Sequence, residues 1–431
     1  MAIAENSRAS SARSGGPALR ALEIPARRRK DPRTPAPGAP AEIRPERAMS
    51  ALLFSPAEAA AHLAQWRALA ETALEPNPFF GPDFLLPYLA HMKIGEAALL
   101  AVRDEADGAF LALVPFHRRR AGLAVPVTSA CAGDYGPLGT PLLAPAAGPA
   151  ALALLLDAAA RAFGASTLLF PWLRTDGPVA GVFDALARES GWHVARTAPG
   201  MRAGHAAGPA GEEQFRLIGT RRRKTLERQL RRLQEAHPPG RFESLSTAQE
   251  VEAAFERFLA LEASGWKGRR GTALACRPER AAFARAFVSA MAARGQIRID
   301  TLEADGVPAA MLVTVRDRDR VFAWKIAHDE RLARFSPGAQ LARRTMRRTL
   351  DEAGVSDTDS LAIPDHPMIA PLWRGTVPYA TLVVSKGPAG ALRGALVRLD
   401  IAADSHLRRL ARAALARLRR IRPRDGKIGR D

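Results

Sequence analysis

Two histidine–aspartate pairs, His328-Asp329 and Asp365-His366, carry the groups best suited to move a proton near neutral pH. The first pair follows the strand-like run Val321–Ala327. The second follows Thr358–Ile363, so both can face one cleft at the ends of neighbouring strands. A histidine there can make an acceptor amine neutral or position it, and a loop hydrogen bond explains either pair without chemistry. Between the pairs stands Ser336-Pro337-Gly338-Ala339, followed by Gln340. Ser336 can cap a helix, Pro337 suits its first turn, and Gly338 leaves the backbone N–H groups open to an anion. Arg331 and Arg334 precede it and could pair with phosphate oxygens. Trp266-Lys267 and Trp324-Lys325 each join a flat apolar face to a cation, a combination suited to an adenine or an anionic acceptor. Strand alternation would account for Trp324 and Lys325 without any ligand. No metal site is expected. The two cysteines, Cys131 and Cys276, exclude a cysteine zinc cluster and a disulfide scaffold.

Charge narrows the classes further. The chain of 431 residues carries 63 Lys and Arg against 44 Asp and Glu, a net +19. The excess lies in residues 1–48, 221–232 and 387–431, and the rest is neutral. A protein basic throughout, like a histone, is thereby excluded. No apolar run reaches the roughly 20 residues that a membrane span needs. The N-terminus lacks the apolar core of a secretory signal, so a cytoplasmic protein is expected.

The elements that must hold these residues come in two similar series. Residues 1–48 contain seven prolines and no hydrophobic period, and read as a disordered basic tail. Residues 49–208 read as a first domain and 209–386 as a second, which opens on a basic helix over 213–236; 387–431 read as a basic amphipathic tail. In the first domain, strands Ala97–Arg103 and Ala109–Phe116 join through Asp107-Gly108. Helix Ala150–Phe163 ends at Gly164, and strand Thr167–Leu173 and helix Ala180–Glu189 follow. In the second, Ile297–Leu302 and Pro308–Val315 join through Asp305-Gly306, and helix Ala339–Ala353 ends at Gly354. The tetrapeptide Glu-Ala-Asp-Gly marks the turn in both. This order indicates a duplicated α/β (α+β) unit, each copy a mixed, mostly antiparallel sheet flanked by helices. In the tail, Leu407, Leu410, Ala414, Leu418 and Ile421 form a stripe opposite arginines. That pattern could lie reversibly on an anionic membrane or dock on the protein's own body.

The succession of the basic helix, Ala263–Gly268, the Glu-Ala-Asp-Gly hairpin, Phe322–Glu330 and Arg334–Gly338 resembles the GNAT-type acyltransferases of the CelD-like (cellulose biosynthesis) family, related to the Fem peptidyltransferases. The resemblance implies two tandem GNAT-like domains and acyl-CoA (acetyl-CoA) as co-substrate of the second. It implies direct N- or O-acyl transfer to a sugar, a polysaccharide precursor or another small amine. The Fem side implies a second possibility, aminoacyl transfer from charged tRNA; a non-catalytic anion-binding module is a third. The basic run Arg221–Lys224 could then meet the coenzyme 3′-phosphate, a polyanionic acceptor or RNA. One departure stands out: Arg334 to Gly338 is one residue longer than the usual GNAT pyrophosphate motif. The first domain lacks the corresponding arginines near Ala147–Ala150, and is expected to shape the acceptor cleft rather than bind coenzyme.

Overall fold

The computed structural model describes residues 22–25 and 48–421. The first half runs β1 (Leu22–Pro25), β2 (Met49–Phe54), α1 (Leu63–Thr72), α2 (Pro82–His91), β3 (Ala97–Asp104), β4 (Phe110–Arg120), β5 (Pro126–Ala130) and β6 (Leu142–Leu143). Then come α3 (Gly148–Phe163), β7 (Thr167–Arg174), α4 (Pro178–Glu189) and β8 (Trp192–Ala206). The second half runs α5 (Gly208–Arg216), α6 (Thr220–Ala236), β9 (Phe242–Leu245), α7 (Ala248–Ser264), α8 (Trp266–Arg269), α9 (Pro278–Ala293), β10 (Ile297–Ala304), β11 (Val307–Asp317) and β12 (Arg320–His328). It ends with α10 (Pro337–Asp351), β13 (Asp357–Asp359), β14 (Gly375–Lys386) and α11 (Gly387–Ile421).

Local chemistry explains the elements that the sequence announces. Gly164 takes the left-handed conformation that closes α3 (φ 59°). Asp305 and Gly306 both have positive φ (51° and 75°), the geometry of a two-residue turn between β10 and β11. Ser55 and Glu58 form a capping box, in which Glu58 accepts the Ser55 N–H at 2.8 Å, and the turn that they open is a 3-10 helix followed by α1. Leu22–Pro25, read as part of a disordered tail, pairs antiparallel with β2. The rest of residues 1–47 lies outside the described residues, as do residues 422–431 of the basic tail. The single helix expected over 213–236 is two, α5 and α6, broken between Arg216 and Thr220.

All strands join one mixed sheet in the order β1-β2-β3-β4-β5-β7-β14-β8-β13-β12-β11-β10-β9, with β6 on β4. The sequence boundary at residue 208 does not divide this sheet. β14, from the end of the second half, lies between β7 and β8 of the first. In return, the last residues of β8, Gly204–Ala206, pair with β13 of the second. Each half is therefore completed by a strand from the other.

Helices cover both faces. On one face of the second half, α7 and α9 pack on β10–β12 through Phe255, Phe258, Phe287, Ile299 and Val313, joined by Phe79 and Phe84 of the first half. On the other, α6 and α10 pack through Leu226, Leu233, Leu312, Ala342 and Met346. α11 begins against β14, where Gly390 and Gly394 allow close approach to Ser166 and Ser385. Asp400 accepts N–H groups from Gly122, Leu123, Ala124 and Val125 at 2.9–3.3 Å. Its outer face exposes Leu392, Leu396, Leu399, Leu407 and Leu410. No described helix is long and apolar enough to cross a membrane.

Candidate active site

β12 and β13 run parallel and pair only over Arg320–Phe322 and Asp357–Asp359. Beyond that point β12 continues along β11 to His328, while the other chain leaves the sheet. The strand expected over Thr358–Ile363 thus ends early. Leu361 and Asp365 both hold left-handed backbone (φ 51° and 54°), which turns the chain away and opens the sheet. Such conformations are costly for a branched side chain.

At the opening β12 carries a bulge. Val313 lies opposite Lys325 and Thr314 opposite Ala323, so Trp324 is the extra residue. Strand alternation would send Trp324 and Lys325 to opposite faces; the bulge brings both to Tyr135 of the first half. The Trp324 indole N–H donates to the Tyr135 carbonyl at 2.7 Å. Its ring is buried beside Phe255, Phe283 and Phe287, so aromatic neighbours rather than a ligand occupy it. The Lys325 ammonium lies 4.8 Å from the Tyr135 ring centre. Burial, and then the Lys267 charge, pull Lys325 down to about 8, against the opposing pull of Glu262 and Asp134.

His328, the start of α10 and the 365–369 segment meet beyond the bulge. A Cβ on Gly338 would lie 2.9 Å from Met368 Sδ and 3.5 Å from His328 Nδ1. Ser336 is left-handed (φ 54°), and its carbonyl accepts the N–H groups of Ala339 and Gln340 at 3.0 and 3.1 Å. Pro337 has no N–H, so the first backbone N–H of the helix is that of Gly338. His366 Nδ1 accepts the N–H groups of Met368 and Ile369 at 3.3 and 3.4 Å and so caps its own turn. In the neutral ring the proton then sits on Nε2. Among the described residues His328 has no such tie. Burial lowers both imidazoles from their ordinary value, with Lys267 adding to it. Glu330 and Asp329 pull His328 partly back.

The aspartates serve elsewhere. Asp329 caps the turn Glu330–Phe335 and binds Arg331, which holds its carboxyl below the usual range. Arg331 is exposed and committed to that pair, not to the helix start. Asp365 is exposed on its loop. Trp266 and Lys267 lie in the one-turn helix α8. Glu330 accepts the Trp266 N–H at 2.6 Å, and Lys267 reaches Glu262 and the Ile326 carbonyl at 2.8 and 2.9 Å. Arg270 covers the Trp266 ring. Gln340, expected at the ligand, instead donates to the Leu226 carbonyl and ties α10 to α6.

That tie places the basic helix. Gln229 also donates to the Arg334 carbonyl at 2.9 Å. Arg228, Arg232 and Arg334 consequently line a cavity of about 500 Å³ with Gln229, Glu235, Ala236 and Phe335. The sequence drew attention to Arg221–Lys224, but the cavity is built one to three turns later.

The first half opens in the same way and is then filled. β5 and β7 pair only at Thr128–Ser129 with Leu168–Leu169. The loop Gly133–Thr140 follows, and Gly139 donates its N–H to the Pro171 carbonyl at 2.8 Å. A side chain on Gly139 would overlap that same oxygen. The loop also reaches Trp324 through Tyr135 and the buried Arg202 through Pro137. Arg202 lies 3.5 Å from the buried Asp359 and under the Tyr379 ring. Tyr135, Arg202 and Asp359 were missed in the sequence. Tyr135 stands in Gly133-Asp134-Tyr135-Gly136-Pro137, whose glycines and proline mark a turn without indicating where it points. Among the described residues no group of three or more His, Cys, Asp or Glu is placed to hold a metal ion.

Comparison with known proteins joins this geometry to a family. Residues 220–366 match the family model described as an acetyltransferase (GNAT) domain. That stretch of the second half is therefore similar to a GNAT acetyltransferase domain. The match covers the opening between β12 and β13, α6 and the start of α10, and such a domain implies acyl-CoA use in general. The crystal structure of FemX is similar in fold (TM-score 0.50, 11% identity, 74% of this chain and 95% of that one). More distant are the C-terminal domain of a putative lysylphosphatidylglycerol synthetase from Agrobacterium fabrum (0.48, 14%, 78% and 95%) and a tandem GNAT protein of the clavulanic acid pathway (0.39, 13%, 79% and 99%). No curated protein matches the sequence.

Proposed function

We propose that this chain transfers an acyl group from a coenzyme A thioester directly to an amine or hydroxyl of a small or saccharide acceptor. The observation that carries this reading is the meeting of His328 and the Gly338 helix start at the opening between β12 and β13. The residues fit the donor. Gly338 leaves the flexible end of Met368 and the His328 ring over the helix start, and cationic side chains line the cavity beside Phe335. When bound, the donor supplies a thioester carbonyl carbon to the acceptor. His328, neutral near pH 7, takes the acceptor proton as the new bond forms and the carbon–sulfur bond breaks; that proton can then pass to the leaving thiolate. Met368 lies on the α10 side of the opening, while Trp324, Lys325 and Tyr135 lie together on the first-half side. Calorimetry with acetyl-CoA, followed by thiol release across a panel of amino sugars and small amines, tests the reading. Saturable binding with acceptor-dependent thiol release is expected; no binding at millimolar donor would reject it.

A second reading, aminoacyl transfer from charged tRNA, is favoured by the likeness to FemX and by the basic face of α6. Tight tRNA binding that falls steeply with salt would favour it over the first.

A further inference from the structure

Basic side chains line two cavities of this molecule, and their chemistry differs. Arg298, Arg344, Arg347 and Arg348 surround one, but Arg347 is paired with Glu212 and Asp351, and Arg348 with Asp300 and Glu352. Much of its charge is already neutralised. In the cavity between α6 and the turn Glu330–Phe335, none of Arg228, Arg232 and Arg334 has a carboxylate partner among the described residues. Glu235 is the one acidic group that lines it. Three guanidinium groups against one carboxylate leave a charge of about +2, which matches a phosphate monoester near pH 7.

The cavity is also held in place. Gln229 and Gln340 fasten α6 to Arg334 and to α10, and Leu226 and Leu233 are buried beneath. Arg228 and Arg232, one turn apart, present one side of the helix, while Arg334 rests on the Phe335 ring at 4.6 Å. The site lies on the α10 face of the sheet, opposite Tyr135 and Lys325. Ser336 already takes the N–H groups of Ala339 and Gln340, so the helix start alone offers few donors to an anion.

We infer that this cavity binds the phosphate monoester at the nucleotide end of the acyl donor, resting on the coenzyme A reading above. The guanidinium groups of Arg228, Arg232 and Arg334 hold that phosphate, and the start of α10 holds the rest of the donor. The test is calorimetric titration of the full chain with coenzyme A and with 3′-dephospho-coenzyme A, repeated for Arg228→Gln, Arg232→Gln and, as a control on the same helix, Arg222→Gln. Coenzyme A is expected to bind at least about tenfold more tightly than its dephospho form. Either cavity variant should bring coenzyme A close to the dephospho value and leave the dephospho value unchanged, with Arg222→Gln like the parent. Equal binding of the two ligands by the parent chain would overturn the inference and leave the coenzyme A reading intact. So would an equal loss for both ligands in the cavity variants. Binding of neither ligand to the parent would overturn the coenzyme A reading itself.

Discussion

His328 and His366 look alike in sequence and differ in the fold. His366 uses Nδ1 to accept two backbone N–H groups, whereas His328 has no such bond among the described residues and lies beside the Gly338 helix start. His328→Gln should cost about 10²- to 10⁴-fold in turnover with little change in donor affinity, measured by steady-state kinetics. Because burial lowers its pKa, the rate should rise with pH through a midpoint below 6.5 and then level off. A midpoint near 8 would assign the role to Lys325 instead. Gly338→Ala is the complementary change. The new methyl overlaps only the movable Met368 thioether and touches the His328 ring at ordinary contact distance, so the melting temperature should shift little while acetyl-CoA affinity falls. The two histidines could be named from the sequence because an imidazole declares its chemistry by type. Their difference in burial and tautomer belongs to contacts that no spacing encodes.

At the scale of elements, α8 fixes Lys267 against Glu262 and the Ile326 carbonyl of β12. Its backbone sits so close to the end of α7 that a Cβ on Gly268 would overlap the Ala263 carbonyl oxygen. Gly268→Ala should therefore destabilise the protein by about 2 kcal/mol or more, seen as a lower urea midpoint, and reduce turnover as Lys267 moves. Hairpins at Asp107-Gly108 and Asp305-Gly306, and the helix ended by Gly164, were legible because turn residues punctuate regular apolar periods. α8 was not, since one turn between glycines has no period. The bulge at Trp324 was equally hidden: it adds one residue without any Gly or Pro to mark it.

For the whole molecule, the consequential feature is the exchange of strands between halves. The sequence repeat led to a division at residue 208, yet β14 and β8 each complete the opposite half. Local pattern could not reveal this. β8 mixes Arg, Gly and Pro over 15 residues, and which sheet a strand joins is set by long-range packing. The junction also carries a pH sensitivity. His205, on β8, bonds Thr349 and the Ala206 carbonyl, and burial lowers its pKa to about 4. The unfolded ring, near 6.5, takes up protons that the folded one refuses. Its share of stability is thus complete above pH 6.5 and lost as pH falls towards 4, on the order of 3 kcal/mol. Asp317, raised to about 6 by burial, works in the opposite direction over part of that range. His205→Gln should therefore flatten the fall in urea-unfolding free energy between pH 6.5 and 4. A fall as steep as the parent's would contradict this.

The central claim is that the opening between β12 and β13 receives an acyl donor anchored at the start of α10. A crystal structure of the full chain with coenzyme A tests it most directly. The expected result places the pyrophosphate at the Gly338 N–H and the thiol between Ala323–His328 and Ser360–Leu361, facing His328. Coenzyme A bound away from this opening, or on the α7–α9 face, would contradict it.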